Sequence, residues 1–413
     1  MIGCGKLGLP CAEVMAEKYD VVGYDIRPVE SDIVKMAPSL EQAVAGRDLI
    51  FIAIPPLHDA RYGGEAPTSH LPPKDFDYGP LIALIKEINR HVDHSQLVVL
   101  ITTVLPGTIR NILIQHIDRP RFIYNPYVIA MGSVKWDMRN PECLIIGTKD
   151  GDISGDARLL IDFYKPILEN NAAVNVGTWD EAESIKIFYN TYISMKIALV
   201  NMIQDVAERS GNINVDVVTN ALKNARQRLT GPRYLTAGMG DGGACHPRDN
   251  IALRWLSQRL DLDYDLFQAI MESREKQARN LARFICSIST ERNLPVAIHG
   301  KAYKPQTGYT DGSYSLLVGS FLEQLGCAAK YVDPLTGDTP KIETPHVFLM
   351  AHASSVTYLG TDLEAKAGFD LYCLPPPGSV IVDPWRSFPE TPGLDVIHYG
   401  NTRNRKPRYF PAD

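Results

Sequence analysis

The chain begins Met1-Ile2-Gly3-Cys4-Gly5-Lys6-Leu7-Gly8, and this glycine pattern decides how the first part of the 413-residue protein folds. A helical pattern follows directly, and the next strand-like run, residues 21–24, is followed by an acid. In a strand–turn–helix unit such glycines allow a tight turn and the close approach of a pyrophosphate, and the acid binds a ribose. We therefore expect a dinucleotide site, with NAD favoured over NADP, at Gly3, Gly5, Lys6, Leu7, Gly8, Asp25 and Arg27. Only two residues precede Gly3, so its strand is expected to be very short or truncated.

The pattern of apolar residues predicts the domain organisation. Strand-like runs alternate with helical patterns through residue 175, which is typical of βαβ units and a mostly parallel sheet. Residues 181–210 then form one apolar-rich helical run without proline or glycine, about 45 Å long, which we expect to run between domains and pack against a second copy of the chain. After residue 292 the alternation returns. The fold class predicted is α/β, with two Rossmann-like α/β domains joined by a helical middle domain with one long central helix, at 1–178, 179–290 and 291–413.

Net charge, apolar runs and cysteine spacing indicate which partners, locations and metal sites to expect. The formal net charge is −6, and nothing indicates binding to nucleic acid or to an anionic membrane surface. We find no signal peptide and no apolar run long enough to span a bilayer, so the cytoplasm is the expected location. The seven cysteines lack metal-ligand spacing, which predicts no metal site, and their odd number and long gaps argue against a disulfide framework and for a reducing compartment.

Residues 242–250, Gly-Gly-Ala-Cys-His-Pro-Arg-Asp-Asn, carry the most informative chemistry. Cys245 follows a glycine turn, and a helical pattern starts at about Asp249. A helix N-terminus and a nearby cation, here Arg248, both lower a thiol pKa, so the stretch predicts a reactive thiolate. Gly242 and Gly243 would let a bulky substrate approach the backbone, and Asp249 is expected near the helix N-cap.

Polar residues elsewhere could complete such a site. Lys186 and Asn190 are four apart, so they share a helix face and could hold an oxygen that gains negative charge. Thr103 follows a strand at the edge where open α/β sheets bind ligands, and it could position water or substrate. Lys304, within Tyr-Lys-Pro-Gln-Thr after the strand at 296–299, could meet a phosphate or a substrate hydroxyl.

Taken together and in this order, the motifs resemble the UDP-glucose/GDP-mannose dehydrogenase family. The resemblance implies an NAD domain, a helical dimer domain and a nucleotide-sugar domain, with NAD as cofactor, a homodimer, and a nucleotide-sugar substrate, a UDP-sugar being favoured over a GDP-sugar. It makes Cys245 the nucleophile with Asp249 as its companion, and Lys186 with Asn190 the oxyanion site. Thr103 would position water, and the substrate would contact Tyr234, Gly242, Gly243 and Lys304.

The chemistry that the resemblance implies is a four-electron oxidation of a sugar C6 alcohol to a uronate. It passes through a thiohemiacetal and a thioester on Cys245, and water then releases the acid. Tyr127 and Met131 stand where the family usually carries two glutamates. We therefore expect thioester hydrolysis to depend on Asp249 with Thr103, or to be slow.

Two other functions compete with this one. A two-electron β-hydroxyacid dehydrogenase also pairs a dinucleotide domain with a Lys-x-x-x-Asn helix, but it needs neither a catalytic cysteine nor a third α/β domain. A non-catalytic nucleotide-sugar binder would account for the missing carboxylates. NADH stoichiometry separates the first alternative, and replacement of Cys245 separates the second.

Overall fold

The computed structural model describes residues 1–55, 70–72, 74–130, 132–153, 155–231, 237–241, 245–305, 307–352 and 373–401. The chain divides into two compact units, Met1–Ile197 and Ala198–Asp413. The division falls inside one long helix, as expected for a helix that runs between domains.

The first unit is built on a largely parallel sheet. Five strands lie in the order β3-β4-β5-β6-β7, and only the β5–β6 pair is antiparallel. Ile2 forms parallel bridges to Tyr24 and to Ile52, so a single residue joins the short β1–β2 pair to this sheet. The expected first strand is therefore present only as this bridge. The strands are β1 (Val22–Gly23), β2 (Lys35–Met36), β3 (Leu49–Ile52), β4 (Leu97–Leu100), β5 (Arg121–Tyr124), β6 (Cys143–Thr148) and β7 (Ala173–Thr178).

Helices enclose this sheet because its central strands are apolar on both faces, as buried parallel strands are. All four residues of β4 are buried, and two separate apolar cores flank the sheet. The helices are α1 (Gly8–Ala16), α2 (Leu40–Val44), α3 (Gly79–His91), α4 (Val134–Arg139) and α5 (Gly155–Tyr164). A π-helical turn, Ile109–Leu113, follows β4 and carries buried Ile109 and Leu113 into the core.

The long helix predicted over 181–210 is α6, Trp179–Ser210, with 32 residues. After it the second unit continues with α7 (Val215–Asn224), α8 (Cys245–Arg259) and α9 (Leu266–Arg292). A five-stranded parallel sheet follows, in the order β12-β11-β10-β8-β9, with β10 at the centre. Its elements are β8 (Val296–His299), α10 (Tyr314–Gln324), β9 (Ala329–Val332), β10 (Val347–Met350), β11 (Val380–Asp383) and β12 (Asp395–His398). The predicted α/β fold class with two parallel sheets and a long helix is confirmed.

One disulfide corrects the expectation from cysteine spacing. Cys286 on α9 bonds to Cys327, which lies just after α10 and 41 residues away in sequence. The pair forms because α9 and α10 pack against each other, and a tertiary contact of this kind leaves no spacing pattern in the sequence.

Candidate functional site

The three glycines of the first turn do three different things. Gly3 has φ +88°, and a Cβ on it would lie 2.9 Å from the backbone of Ala53. A Cβ on Gly8 would lie 1.8 Å from the Gly3 carbonyl oxygen, so helix and turn meet too closely for any side chain. A Cβ on Gly5 would meet no described atom within 4 Å. A tight turn, an open backbone and a close helix contact are the three requirements of a pyrophosphate-binding turn.

Asp25 is held against this turn. Its Oδ2 accepts a hydrogen bond from the Cys4 backbone N–H at 2.9 Å, and its Oδ1 accepts from the Arg27 N–H at 3.0 Å. The carboxylate is only 9% exposed, whereas the Arg27 side chain is 80% exposed with its Nε 3.9 Å from Asp25. Lys6 is exposed and Leu7 precedes α1 as its N-cap. The residues predicted for the cofactor lie together, and their geometry fits a dinucleotide.

Lys186 is an unusual cation because α6 buries it. Its side chain lies on the same helix face as Asn190, and its Nζ is 3.5 Å from the Asn190 Oδ1. It forms no ion pair with any described residue. Burial lowers the pKa of Lys186, since a charged ammonium loses hydration there. A buried ammonium with one weak polar partner is suited to an anionic group that arrives from outside.

Glu183, one turn before Lys186, was not foreseen from the sequence. It is fully buried, and its two oxygens accept the backbone N–H groups of Gly107 at 2.5 Å and Ile109 at 2.8 Å. Burial raises the pKa of Glu183 to about 7, and the two N–H donors oppose that shift. Nothing in the neighbouring sequence marks this carboxylate, because its two backbone partners lie 76 and 74 residues earlier in the chain.

The same helix turn fixes the loop after β4. Asp180 makes a bidentate contact with Arg110, at 2.7 Å to its Nη2 and 3.0 Å to its Nε. Thr103 precedes this clamped loop; it is half-buried, and its hydroxyl has no hydrogen-bond partner among the described residues. Thr103, Lys186 and Asn190 therefore belong to one unit, and Glu183 connects the segments that carry them.

The phenol of Tyr127, where the resemblance implies a glutamate, points into the core. The Tyr127 hydroxyl lies 2.8 Å from the Tyr164 hydroxyl, which in turn donates to the Asn125 Oδ1 at 2.5 Å. The Asn125 amide donates to the Ile145 carbonyl at 2.8 Å, so the chain of hydrogen bonds is closed. Burial raises the pKa of Tyr127 well above its ordinary value. Tyr127 is thus a structural residue and does not offer a base to a ligand.

The helix behind the cysteine starts earlier than expected. Cys245 is itself the first residue of α8, with Pro247 tolerated in the first turn. The expectation that the helix starts near Asp249 is wrong, because the His-Pro pair interrupts the apolar pattern without interrupting the helix. Asp249 is therefore not at the N-cap; it lies one turn inside, exposed, with its Oδ1 2.9 Å from the Arg248 Nε.

A glycine turn of the same geometry carries Lys304 in the second unit. Gly300 has φ +99°, its N–H donates to the Val332 carbonyl, and the Lys301 N–H donates to Asp333 Oδ2 at 2.9 Å. These contacts repeat, atom for atom, those that Gly3 and Cys4 make with the end of β1. Lys304 follows on this turn, exposed, with its Nζ 5.3 Å from the Tyr303 ring centre.

Several predicted residues lie outside the description. Tyr234, Gly242, Gly243 and Met131 are not among the described residues, and of Cys245 only the backbone is described. Within the described ranges, no group of His, Cys, Asp and Glu side chains has the arrangement of a metal site. In the same part of the chain, no helix combines the length and the apolar character that a bilayer crossing needs.

Comparison with known proteins identifies the class. Residues 27–168 match the NAD binding domain of the UDP-glucose/GDP-mannose dehydrogenase family, and residues 180–276 match the central domain of that family. The two matches together cover more than half of the chain.

Individual proteins of known sequence or structure are similar to this chain over most of its length. The UDP-glucose 6-dehydrogenase of Rickettsia prowazekii is 25% identical over 334 residues, covering 79% of this chain and 73% of its own. UDP-glucose 6-dehydrogenase YwqF of Bacillus subtilis is 25% identical over 405 residues, covering 90% of this chain and 85% of its own. A crystal structure of GDP-mannose dehydrogenase from Pseudomonas aeruginosa superposes with a TM-score of 0.77 at 19% identity, covering 96% of this chain and 98% of that one, and shows the same fold.

The chain is an NAD-binding oxidoreductase. This class follows from the glycine turn that fits a dinucleotide, from the buried lysine on the long helix, and from the matches to two domains of one family. The chain belongs to the UDP-glucose/GDP-mannose dehydrogenase family, the nucleotide-sugar dehydrogenases.

Proposed function

We propose that the protein is an NAD-dependent nucleotide-sugar 6-dehydrogenase that oxidises a sugar C6 alcohol to a uronate in two two-electron steps. The observation that carries this proposal is Lys186, a buried ammonium whose one described polar partner is the Asn190 amide. A UDP-sugar is the first choice of substrate, because the relatives quoted above are named UDP-glucose 6-dehydrogenases.

In this proposal Lys186 and Asn190 stabilise the oxygen on the reacting carbon while it carries negative charge. Such donors act best when they are fixed before the reaction and shielded from water. Lys186 meets both conditions within α6. Bound NAD supplies the hydride acceptor, and the Gly3–Gly8 turn with Asp25 would hold its adenosine half.

Cys245 is the proposed nucleophile. Its thiolate would add to the C6 aldehyde to form a thiohemiacetal, and loss of a second hydride would leave a thioester. Water would then release the uronate and regenerate the thiol, so that one alcohol, one water and two NAD+ give one carboxylate, two NADH and three protons. A cysteine at the first position of a helix suits this role, because helix N-termini favour thiolates.

Hydrolysis is the step at which this chain differs. Tyr127 is engaged with Tyr164 and offers no base. We therefore propose that Asp249 with Thr103 supports the attack of water, or that this step is slow. Asp249 is exposed, and the Thr103 hydroxyl is free of described protein partners, as a residue that holds water would be.

Two measurements test the proposal. A panel of UDP- and GDP-sugars with NAD is followed by absorbance, and the expected result is two NADH per sugar and a uronate product. In a stopped flow, slow hydrolysis would give a burst of NADH, then a slow phase, with an acyl adduct on Cys245 detected by mass spectrometry. A linear trace without an adduct would show that hydrolysis is fast.

Cys245→Ala gives the sharpest control. The variant should still bind the nucleotide sugar but should form no uronate. One NADH per substrate, unaffected by the substitution, would point to the two-electron alternative. Binding without any NADH, in the native chain as in the variant, would point to a non-catalytic binder.

We also propose that the protein forms a homodimer through α6. Between residues 185 and 200 this helix exposes a run of large apolar side chains: Ile185, Phe188, Tyr192, Ile193, Met195, Ile197, Leu199 and Val200. A patch of this kind on one helix is typical of an interface. The three-domain division at 1–178, 179–290 and 291–413 and the cytoplasmic location stay predictions.

A further inference from the structure

The five residues 237–241, which lie shortly before Cys245 in the sequence, are fixed against the second unit. The Arg386 guanidinium donates to the Ala237 carbonyl at 2.6 Å. A Cβ on Gly238 would lie 2.2 Å from the Trp385 ring, and a Cβ on Gly240 would lie 2.1 Å from the Tyr314 ring. Both positions therefore require glycine, and the two rings fix which residues of the segment lie against them.

Arg274 on α9 holds the last residue of that segment. Its Nε lies 2.5 Å from the Asp241 Oδ1, and its Nη2 donates to the Gly312 carbonyl at 3.2 Å. The guanidinium also stacks on the Tyr314 ring, 5.3 Å from its centre, and its side chain is only 10% exposed. Only a planar fork can make an ion pair, a carbonyl contact and a ring contact together, so lysine would not replace it fully.

Helix α9 thereby sets both ends of the interval between Asp241 and Cys245. At one end stands the ion pair of Arg274 with Asp241. At the other end stands α8, which begins at Cys245, packs against α9 and is tied to it by the Arg254–Asp265 ion pair at 3.0 Å. Arg274 also holds the loop that follows Lys304, because its Nη2 donates to the Gly312 carbonyl in that loop.

We propose that Arg274 is a positioning residue: through Asp241 and Gly312 it sets the placement of the Cys245 thiol and of the Lys304 loop. This inference rests on the proposed function of Cys245 as nucleophile. Arg274 touches neither substrate nor cofactor in this role. Its loss should change how readily the thiol reacts, and it should lower kcat more than it raises KM, because a nucleophile displaced by about 1 Å loses up to a hundredfold in rate.

The test compares Arg274→Met and Arg274→Lys with the native chain. Cys245 alkylation by iodoacetamide is followed across pH 6–9 by peptide mass spectrometry, and kcat and KM are measured with NAD and UDP-glucose. We expect Arg274→Met to shift the alkylation profile to higher pH and to lower kcat about 10- to 100-fold. Arg274→Lys should fall between the two. Arg279→Met is the matched control, since Arg279 lies on the same helix and stacks on Phe321.

If Arg274→Met does not fold, Asp241→Ala replaces it in the test. This variant removes the same ion pair from its more exposed partner, Asp241. A folded Arg274→Met or Asp241→Ala variant with the native alkylation profile and native kcat would overturn the proposal. Failure of the proposed function gives a different pattern: Cys245→Ala would keep full dehydrogenase activity, while the alkylation comparison still reports whether Arg274 places the thiol.

Discussion

At the scale of the residue, burial decides what Lys186 can do. A lysine on a solvated face would be an ordinary surface charge, whereas this one is surrounded by α6 and its neighbours and has a lowered pKa. An isolated buried charge destabilises a fold, so its retention favours a functional role. The carboxylate one turn earlier, Glu183, is buried too, but it is satisfied by two backbone N–H groups and organises the loop.

Replacing Lys186 should separate catalysis from folding. Lys186→Met keeps the length and apolar stem and removes the buried charge, so thermal stability should hold or rise. The rate kcat should fall about a hundredfold or more, because an oxyanion donor is lost. Steady-state kinetics and a melting curve measure both. Lys223→Met, at an exposed position of α7, should leave kcat at the native level. An unchanged kcat for Lys186→Met would remove this residue from the mechanism.

At the scale of the element, two glycines of the first turn are required by the fold, and the third leaves space for the ligand. Gly3 and Gly8 are glycines because protein atoms occupy the space of a side chain, whereas Gly5 faces open space. The turn after β8 repeats the Gly3 geometry, with Asp333 in the place of Asp25. In that second turn Asp333 is fully buried and accepts three backbone N–H groups, so it stabilises the loop.

Gly5 and Gly8 give a matched pair of variants. Gly8→Ala should lower the stability of the first unit by about 1–3 kcal/mol or more, since its methyl group would collide with the Gly3 carbonyl oxygen. Gly5→Ala should keep the native melting temperature but bind NAD at least tenfold more weakly, because the methyl group occupies the space for the pyrophosphate. Calorimetry and a fluorescence titration with NAD measure the two effects. Native NAD affinity in Gly5→Ala would contradict the assignment of this turn.

The anchor of the loop after β4 should respond to pH. The folded protein keeps the Glu183 proton up to a pKa of about 7, whereas an unfolded chain releases it near 4.5. The folded state therefore binds more protons between these values, and stability falls as pH rises through that window, by roughly 3 kcal/mol from this group. Glu183→Gln should lack this decrease. Chemical unfolding between pH 4.5 and 8 measures it, with exposed Glu208→Gln as control; equal slopes in Glu183→Gln and the native chain would count against it.

At the scale of the whole molecule, α6 leaves a run of large apolar side chains exposed in the described part of a single chain. Phe188, Met195 and Ile197 are each more than half exposed, and they lie within ten consecutive residues of one helix. Covering them with a second copy would remove this apolar surface from water.

Charged substitutions on α6 should therefore give monomers. Phe188→Glu combined with Met195→Glu places two carboxylates, two helix turns apart, in the proposed interface. Light scattering should report a dimer for the native chain and half that mass for the double variant, with helical content retained. Asn201→Glu, at an exposed polar position of the same helix, should stay dimeric. A monomeric native chain would refute the interface.

The sequence predicted the large elements well because they carry many periods of a pattern. Helix α6 was expected at 181–210 and is Trp179–Ser210, and the strand expected at 296–299 matches residue for residue. Short strands such as β2, with two residues, hold no period and were missed. The start of α8 was misplaced because Pro247 breaks the pattern but fits a first turn. Glu183 and the Cys286–Cys327 bond depend on contacts between distant segments, which no local window contains.

The phenol at Tyr127 has a consequence for anyone who would engineer this chain. The substitution Tyr127→Glu would set a carboxylic acid against the Tyr164 hydroxyl, inside an apolar layer, in place of two phenols that already hydrogen-bond to each other. The single exchange would damage the domain before it could add a base. A designer would have to replace Tyr164 as well, so a glutamate at this position requires two coordinated substitutions.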